Sequence, residues 1–103
     1  MELTSKIVGG NVEIIATGNI KTILDSKAIK EAIVKASGHG SDVLINFYIK
    51  DSFIITSSVI GFLVKAIKLD KIPLHVTIGS AELYVMLEEM NLIDAMNVKK
   101  VEL

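Results

Sequence analysis

Two groups of polar residues follow one short apolar segment, and a serine in either group could accept a phosphate. Asp51 and Ser52 come shortly after the apolar segment 43–47, and the hydroxyl cluster 56–58 follows. A short polar side chain at a helix start caps unpaired backbone amides, and the positive end of the helix dipole favours added negative charge. A serine at a helix N-terminus is therefore a chemically suitable place for a phosphate.

The favoured serine depends on where the following helix begins. Apolar residues recur there at three- and four-residue spacing, which is one face of a helix: Ile55, Val59, Phe62, Ala66 and Leu69. A helix that includes all of them has Asp51 or Ser52 as its N-cap and makes Ser52 the phosphate acceptor. A helix that begins a turn later has Thr56, Ser57 and Ser58 at its N-terminus, and Ser57 is then the better acceptor.

Both groups also have interpretations that need no phosphate. Asp51 and Ser52 can serve only as a helix cap. The hydroxyls of 56–58 can bond back to backbone carbonyls four residues earlier, as serine and threonine often do within helices. These structural alternatives stay open at the level of the sequence.

The surrounding pattern predicts five strands and three helices in the order β-β-α-β-α-β-α-β. Strands are predicted over 3–8, 11–17, 43–47, 72–78 and 97–103, with a glycine turn at Gly9 and Gly10. Helices are predicted to open at Asp25 and Ser26, within 51–58, and before Leu83. Right-handed crossovers then give a four- or five-stranded mixed sheet with helices mainly on one side. The 103 residues are expected to form a single α/β domain.

Composition excludes several classes of function. All 11 basic residues are lysines and the net charge is −1, which argues against a nucleic-acid partner. The chain has no cysteine, and its two histidines, His39 and His75, lie far apart in the sequence, so no metal site is expected. No phosphate-binding loop or nucleophile elbow is present. The sequence predicts a non-enzymatic protein without a cofactor.

Hydropathy indicates a protein that keeps some apolar surface for a partner. Hydrophobic residues make up 50% of the chain and the mean hydropathy is +0.53. The surplus suits a partner protein or a homodimer. The longest uncharged window, 52–64, is shorter than the ~20 residues of a membrane helix, and the N-terminal residues lack the apolar core of a signal peptide. We therefore expect a cytoplasmic protein that does not insert directly into a membrane.

The chain resembles a STAS domain, the small fold of bacterial anti-sigma factor antagonists and of sulfate-transporter tails. That family has Asp-Ser before an apolar helix, then a strand, a small-residue loop and a second helix. The corresponding segments here are Asp51-Ser52, 72–78, Gly79-Ser80 and the helix through Leu83, Leu87 and Asn91, with Gly18-Asn19-Ile20 upstream. The sequence Asp-Ser-Phe-Ile at 51–54 is similar to the corresponding segment of scaffold-type antagonists from stressosomes.

The resemblance implies a regulator of bacterial transcription that works by partner switching. Its binding to a kinase-type anti-sigma factor or a stressosome-like scaffold would be controlled by phosphorylation. The implied phosphate acceptor is Ser52, with Ser57, Thr56 and Ser58 as alternatives. The implied partner-binding residues are Asn19, Lys21, Asp51, Ser52 and Phe53.

Two departures from the family pattern favour a rival function: Lys21 in place of the usual acid, and the expected lack of the family's last helix after the final strand. Asn19 and Lys21 stand where the family commonly has acids that help to dock the kinase. The rival is a constitutive adaptor subunit bound to a transporter ATPase in the membrane, or a module that binds a small ligand such as a nucleotide or lipid. If the fold is STAS-like, Lys21 and Ser52 share one rim of the sheet. Lys21 would then hold a phosphate on Ser52 by charge attraction.

Overall fold

Five strands form one mixed sheet in the order β1-β2-β3-β4-β5 in a computed structural model, which describes residues 1–40 and 42–100. The elements are β1 (Glu2–Val8), β2 (Asn11–Thr17), α1 (Ile23–Ser37), β3 (Ile45–Ile49), α2 (Ser57–Lys68), β4 (Leu74–Ile78), α3 (Ala81–Glu89) and β5 (Val98–Lys100). The pair β1 and β2 is antiparallel, and all other neighbours are parallel. The predicted α/β class and order of elements are confirmed.

The first two strands form the predicted hairpin. Gly9 and Gly10 have φ values of 57° and 85°, and a two-residue hairpin turn of this kind needs positive φ at both central positions. Val8 pairs with Asn11 across the turn, which fixes the register of all seven pairs.

The core lies on the face of the sheet that the helices cover. Alternate residues of β2, β3 and β4 are buried on that face: Val12, Ile14, Ala16, Ile45, Phe47, Ile49, Leu74, Val76 and Ile78. The helices contribute buried residues at helical spacing: Ile29, Ile33 and Ala36 from α1, Val59, Leu63 and Ala66 from α2, and Leu83 and Leu87 from α3. The intervening strand residues are half-buried, so the opposite face of the sheet is partly open.

Three predicted starts were wrong by two or three residues, and β3 also runs two residues past its predicted end at 47, to Ile49. Helix α1 begins at Ile23 and not at Asp25, because Thr22 is the N-cap and Asp25 completes a capping box. Strand β3 begins only at Ile45, since the amide of Val43 bonds to Gly40 in the turn after α1. Strand β4 begins two residues after Ile72, whose amide bonds back to α2. The predicted last strand is β5, and its final residues, 101–103, lie outside the described residues.

The central helix begins at Ser57, so the prediction that Asp51 or Ser52 caps it is wrong and the later start is confirmed. Thr56 is the N-cap, and its side-chain oxygen accepts a hydrogen bond from the amide of Val59 at 3.2 Å. The apolar pattern predicted a helix that is too long. It rested on five residues, and two of them lie outside α2. Those two residues are Ile55, in the preceding loop, and Leu69, the C-cap.

Candidate functional site

Two loops meet at the carboxyl end of the parallel strands, where β2 leads to α1 and β3 leads to α2. Three hydrogen bonds join them: Gly18 N to Asp51 Oδ1 at 2.7 Å, Ile20 N to Ser52 Oγ at 3.0 Å, and Phe53 N to Asn19 Oδ1 at 3.3 Å. Because β2 and β3 are parallel neighbours, their following loops share one edge of the sheet. These bonds fix the positions of the two helix starts relative to each other.

Ser52 is completely buried between the two loops. Its hydroxyl accepts from the amide of Ile20 and donates to the carbonyl of Ile54 at 2.6 Å. A kinase cannot reach this hydroxyl while the loop keeps this conformation. Phosphorylation of Ser52 stays a prediction, and it would require the loop to open.

A groove of about 280 Å³ lies between the first turns of α1 and α2. It is lined by three lysines, five hydroxyl residues and one apolar residue: Lys21, Lys27, Lys30, Thr22, Ser26, Thr56, Ser57, Ser58 and Ile23. None of these lining residues is acidic. We call this feature the lysine groove, since it combines positive charge with hydrogen-bonding groups and two helix N-termini.

The hydroxyls of the lysine groove differ in their exposure and in whether they already make hydrogen bonds within the protein. Thr56 is half-buried, caps α2, and lies 2.9 Å from the Ser26 hydroxyl of α1. The hydroxyl of Ser58 accepts from Lys30 Nζ at 2.7 Å.

Ser57, the first residue of α2, is exposed to solvent. Thr22 and Ser58 are also exposed, but Thr22 accepts from the amide of Asp25 and Ser58 from Lys30. Within the described residues, Ser57 is therefore the exposed hydroxyl of the groove without a hydrogen bond of its own.

Asp25 fixes the backbone at the entrance of the groove. Its carboxylate accepts hydrogen bonds from the amides of Lys21 and Thr22, both at 3.1 Å. The bond from the Lys21 amide, followed by the bonds from Thr22, holds the pKa of Asp25 below its ordinary value. An ionised Asp25 thus stabilises the first turn of α1.

Large apolar side chains are exposed along the same rim of the molecule. Ile23 and Leu24, the first two residues of α1, are 87% and 77% exposed, and Phe53 in the β3–α2 loop is 51% exposed. The sequence predicted Phe53 as a partner-binding residue but not the other two. The capping box at Thr22 and Asp25 is the signal that could have placed Ile23 and Leu24 in the first turn.

The predicted partner-binding residues lie on one rim of the molecule. Four of them are joined by hydrogen bonds, and the fifth, Lys21, lies in the lysine groove. Asn19, Asp51, Ser52 and Phe53 are joined through the loop hydrogen bonds. Lys21 lines the lysine groove with Ser57. The expected approach of Lys21 to a phosphate on Ser52 stays a prediction, and it would require the loop to open because the Ser52 side chain is buried.

Two further properties concern the described residues as a whole. Across residues 1–40 and 42–100, no helix has the length and apolar character needed to cross a bilayer. In the same residues, no group of three or more histidine, aspartate or glutamate side chains is placed to hold a metal ion.

Comparison with known proteins establishes the fold alone. The chain matches no protein-family model and no curated protein sequence. It resembles the NMR structure of the protein TM1081 with a TM-score of 0.70 and 15% sequence identity. The alignment covers 98% of this chain and 82% of that one.

Proposed function

We propose that this chain is a STAS-like, non-enzymatic regulatory protein whose binding to a partner is controlled by phosphorylation of Ser57. One observation carries the proposal: an exposed serine occupies the first position of α2, inside a groove lined by three lysines. The helix N-terminus and the ammonium groups would both stabilise a phosphate dianion there. The proposal moves the phosphate acceptor from Ser52 to Ser57, an alternative that the sequence had left open.

The hydrogen bonds of the other candidate hydroxyls favour Ser57. Thr56 uses its oxygen to cap α2, so its modification would remove the cap. Ser58 is bound by Lys30, and Ser52 is buried in the loop junction. Phosphorylation at Ser57 disturbs none of these hydrogen bonds.

A phosphate at this position would change the charge of the surface rather than the fold. Phosphoserine adds about −1.5 to −2 charges at neutral pH. That amount offsets much of the positive charge of Lys21, Lys27 and Lys30. A partner that binds at this rim would contact a surface whose charge differs before and after phosphorylation. The class of partner that we propose is a kinase-type anti-sigma factor or a stressosome-like scaffold, in a bacterial cytoplasm.

Peptide mass mapping tests the proposal directly. The protein is purified from its native cells with and without phosphatase treatment, and phosphate is expected on Ser57. Two variants give matched controls: Ser57→Ala should abolish the modification, and Ser80→Ala should leave it unchanged. Ser80 is also a serine at a helix start, the N-cap of α3. A phosphate confined to Ser52, or none in cells whose kinase is active on another substrate, would contradict the proposal.

The groove also supports a second candidate function, a module that binds a small phosphate-bearing ligand such as a nucleotide. Its volume and three lysines suit a phosphate group. Two-dimensional NMR titration with ATP and GTP tests this function on unmodified protein. Shifts confined to the first turns of α1 and α2 would support it, and unchanged spectra would exclude it for these nucleotides. No contact favours the transporter adaptor, which stays a prediction.

A further inference from the structure

Exposed apolar side chains and positively charged side chains lie together on the first two turns of α1. Ile23, Lys27 and Lys30 follow the i, i+4, i+7 spacing of one helix face, and all three line the lysine groove. Leu24 lies beside this face, one residue after Ile23. Lys21 precedes the N-cap and completes the positive edge. The surface thus combines an exposed apolar pair with three ammonium groups.

The exposed apolar pair and the three lysines make few contacts within the described fold. Ile23 and Leu24 lie outside the buried core, at 87% and 77% exposure. Within the described residues, the three lysine ammonium groups form one ion pair, that of Lys27 with Glu31, at 4.0 Å and with both side chains about 70% exposed. Such exposed ion pairs contribute little to the free energy of folding. Lys30 contacts a neutral hydroxyl.

The positive charge of the groove is a local property and does not follow from the composition. The chain as a whole carries a net charge of −1. The nine residues that line the groove nevertheless include three lysines and no acid. Two carboxylates lie beside it. Asp25 accepts from the amides of Lys21 and Thr22, and Glu31 pairs with Lys27. An excess of one sign on a concave surface next to exposed apolar residues is typical of a protein-binding site that selects its partner by charge.

We infer that this surface, in the unmodified protein, docks an acidic segment of the partner protein whose apolar residues cover Ile23 and Leu24. The inference rests on the proposed function and gives the chemistry of the partner. Carboxylates of the segment would pair with Lys21, Lys27 and Lys30. A phosphate on Ser57 would occupy the same lysines from within the chain, so modification would release the partner by competition.

The inference is tested by NMR titration of the ¹⁵N-labelled protein with two synthetic amphipathic peptides. The peptides share their leucine and phenylalanine positions, and one carries glutamate elsewhere while the other carries lysine. The glutamate peptide should shift the amides of Ile23, Leu24, Ser57 and Ser58 and bind at least about tenfold more tightly than the lysine peptide, with an affinity that falls as salt rises. No shift at millimolar peptide, or equal affinity for both peptides, overturns the inference.

Variants separate the groove from general charge effects. The double variant Lys27→Glu, Lys30→Glu should lose at least about tenfold in affinity for the glutamate peptide. Lys99→Glu, an exposed lysine on β5, should bind like the wild type, and Ile23→Ser should weaken binding while leaving the melting temperature near that of the wild type. An equal loss with Lys99→Glu overturns the inference.

Protein with phosphoserine installed at position 57 during synthesis completes the test. It should lose the same tenfold or more in affinity for the glutamate peptide, and undiminished binding contradicts the competition. None of these measurements needs a kinase. The docking inference can therefore fail while Ser57 is found phosphorylated in cells, and it can hold where Ser57 is never modified.

Discussion

The hydroxyl oxygen of Ser52 accepts a hydrogen bond from the backbone amide of Ile20 at 3.0 Å, and this buried contact is one of those that join the loops beneath the lysine groove. Ile20 precedes Lys21 on one wall, and the carbonyl of Ile54, to which Ser52 donates, precedes Thr56 on the other. Ser52 therefore acts as a positioning residue beneath the groove. The residue that the sequence singled out as phosphate acceptor thus holds the two loops together, and its phosphorylation stays a prediction.

Ser52→Ala should destabilise the protein by about 1–3 kcal/mol, because it leaves a buried amide and a partly buried carbonyl without their hydroxyl partner. Chemical denaturation measures this change in the free energy of unfolding. Ser57→Ala is the matched control, since Ser57 is exposed and its truncation should change stability by less than about 0.5 kcal/mol. Equal stabilities of the two variants would show that the buried contact is unimportant.

Asp25 should make the stability of α1 depend on acidity. Its pKa is lower in the folded protein than in the unfolded chain, so the stabilisation is present above the ordinary aspartate pKa of about 3.9 and disappears as the pH falls through the folded value. The melting temperatures of wild type and Asp25→Ala should therefore differ at neutral pH and converge in acid.

Asp25→Asn separates the charge of this side chain from its hydrogen bonds. The amide oxygen can still accept from the amides of Lys21 and Thr22 but carries no charge. We expect its melting temperature at neutral pH to lie between those of the wild type and Asp25→Ala. A gap between the wild type and Asp25→Ala that stays constant from neutral pH into strong acid would contradict the assigned role of the carboxylate.

Local patterns were sufficient to predict the hairpin and the order of the elements. The Gly9 and Gly10 pair adopts the positive φ values that a tight hairpin turn needs. The start of α2 was harder because Asp51, Ser52 and Thr56 all have the chemistry of an N-cap. Contacts with residues more than 25 positions away decide between them: Ile20 binds Ser52, and Ser26 contacts Thr56.

The lysine groove could not be predicted from the sequence as a unit. Lys27 and Lys30 lie almost thirty residues before Ser57 and read only as the solvated face of a helix. Their role depends on how α1 packs beside α2, which is shown by the 2.7 Å contact of Lys30 with Ser58. The capping box at Thr22 could have shifted the start of α1 to its true position, but it does not reveal the neighbouring helix.

Two glycines should respond in opposite ways to alanine. A methyl group on Gly79 would overlap the backbone carbonyl of Lys50 at the end of β3, so Gly79→Ala should destabilise by about 1–3 kcal/mol. A methyl group on Gly61 within α2 meets open space, so Gly61→Ala should stabilise by up to about 1 kcal/mol through helix propensity. Thermal unfolding of the two variants checks both signs. A stabilised Gly79→Ala variant would show that β3 and the loop after β4 are not held this closely.

Phosphoserine at position 57 should be a stronger acid than phosphoserine in an unfolded peptide. The second pKa of a free phosphoserine is about 6, and nearby positive charge favours the dianion. Position 57 is the first residue of α2 and lines the same groove as Lys21, Lys27 and Lys30, so the pKa should fall below that value. The ³¹P chemical shift measured across pH, on protein with phosphoserine installed during synthesis, gives the value directly.

Two variants and one control connect this acidity to the groove. Lys21→Asp and Lys30→Gln should each return the phosphate pKa toward about 6, because each removes a positive charge beside the phosphate. The aspartate also adds a negative charge, so its effect should be the larger. Phosphoserine at position 80 has a helix N-terminus but lies outside the lysine groove, and it should show the smaller shift. Identical pKa values at positions 57 and 80 would mean that the helix start alone acts on the phosphate and that the lysines do not hold it.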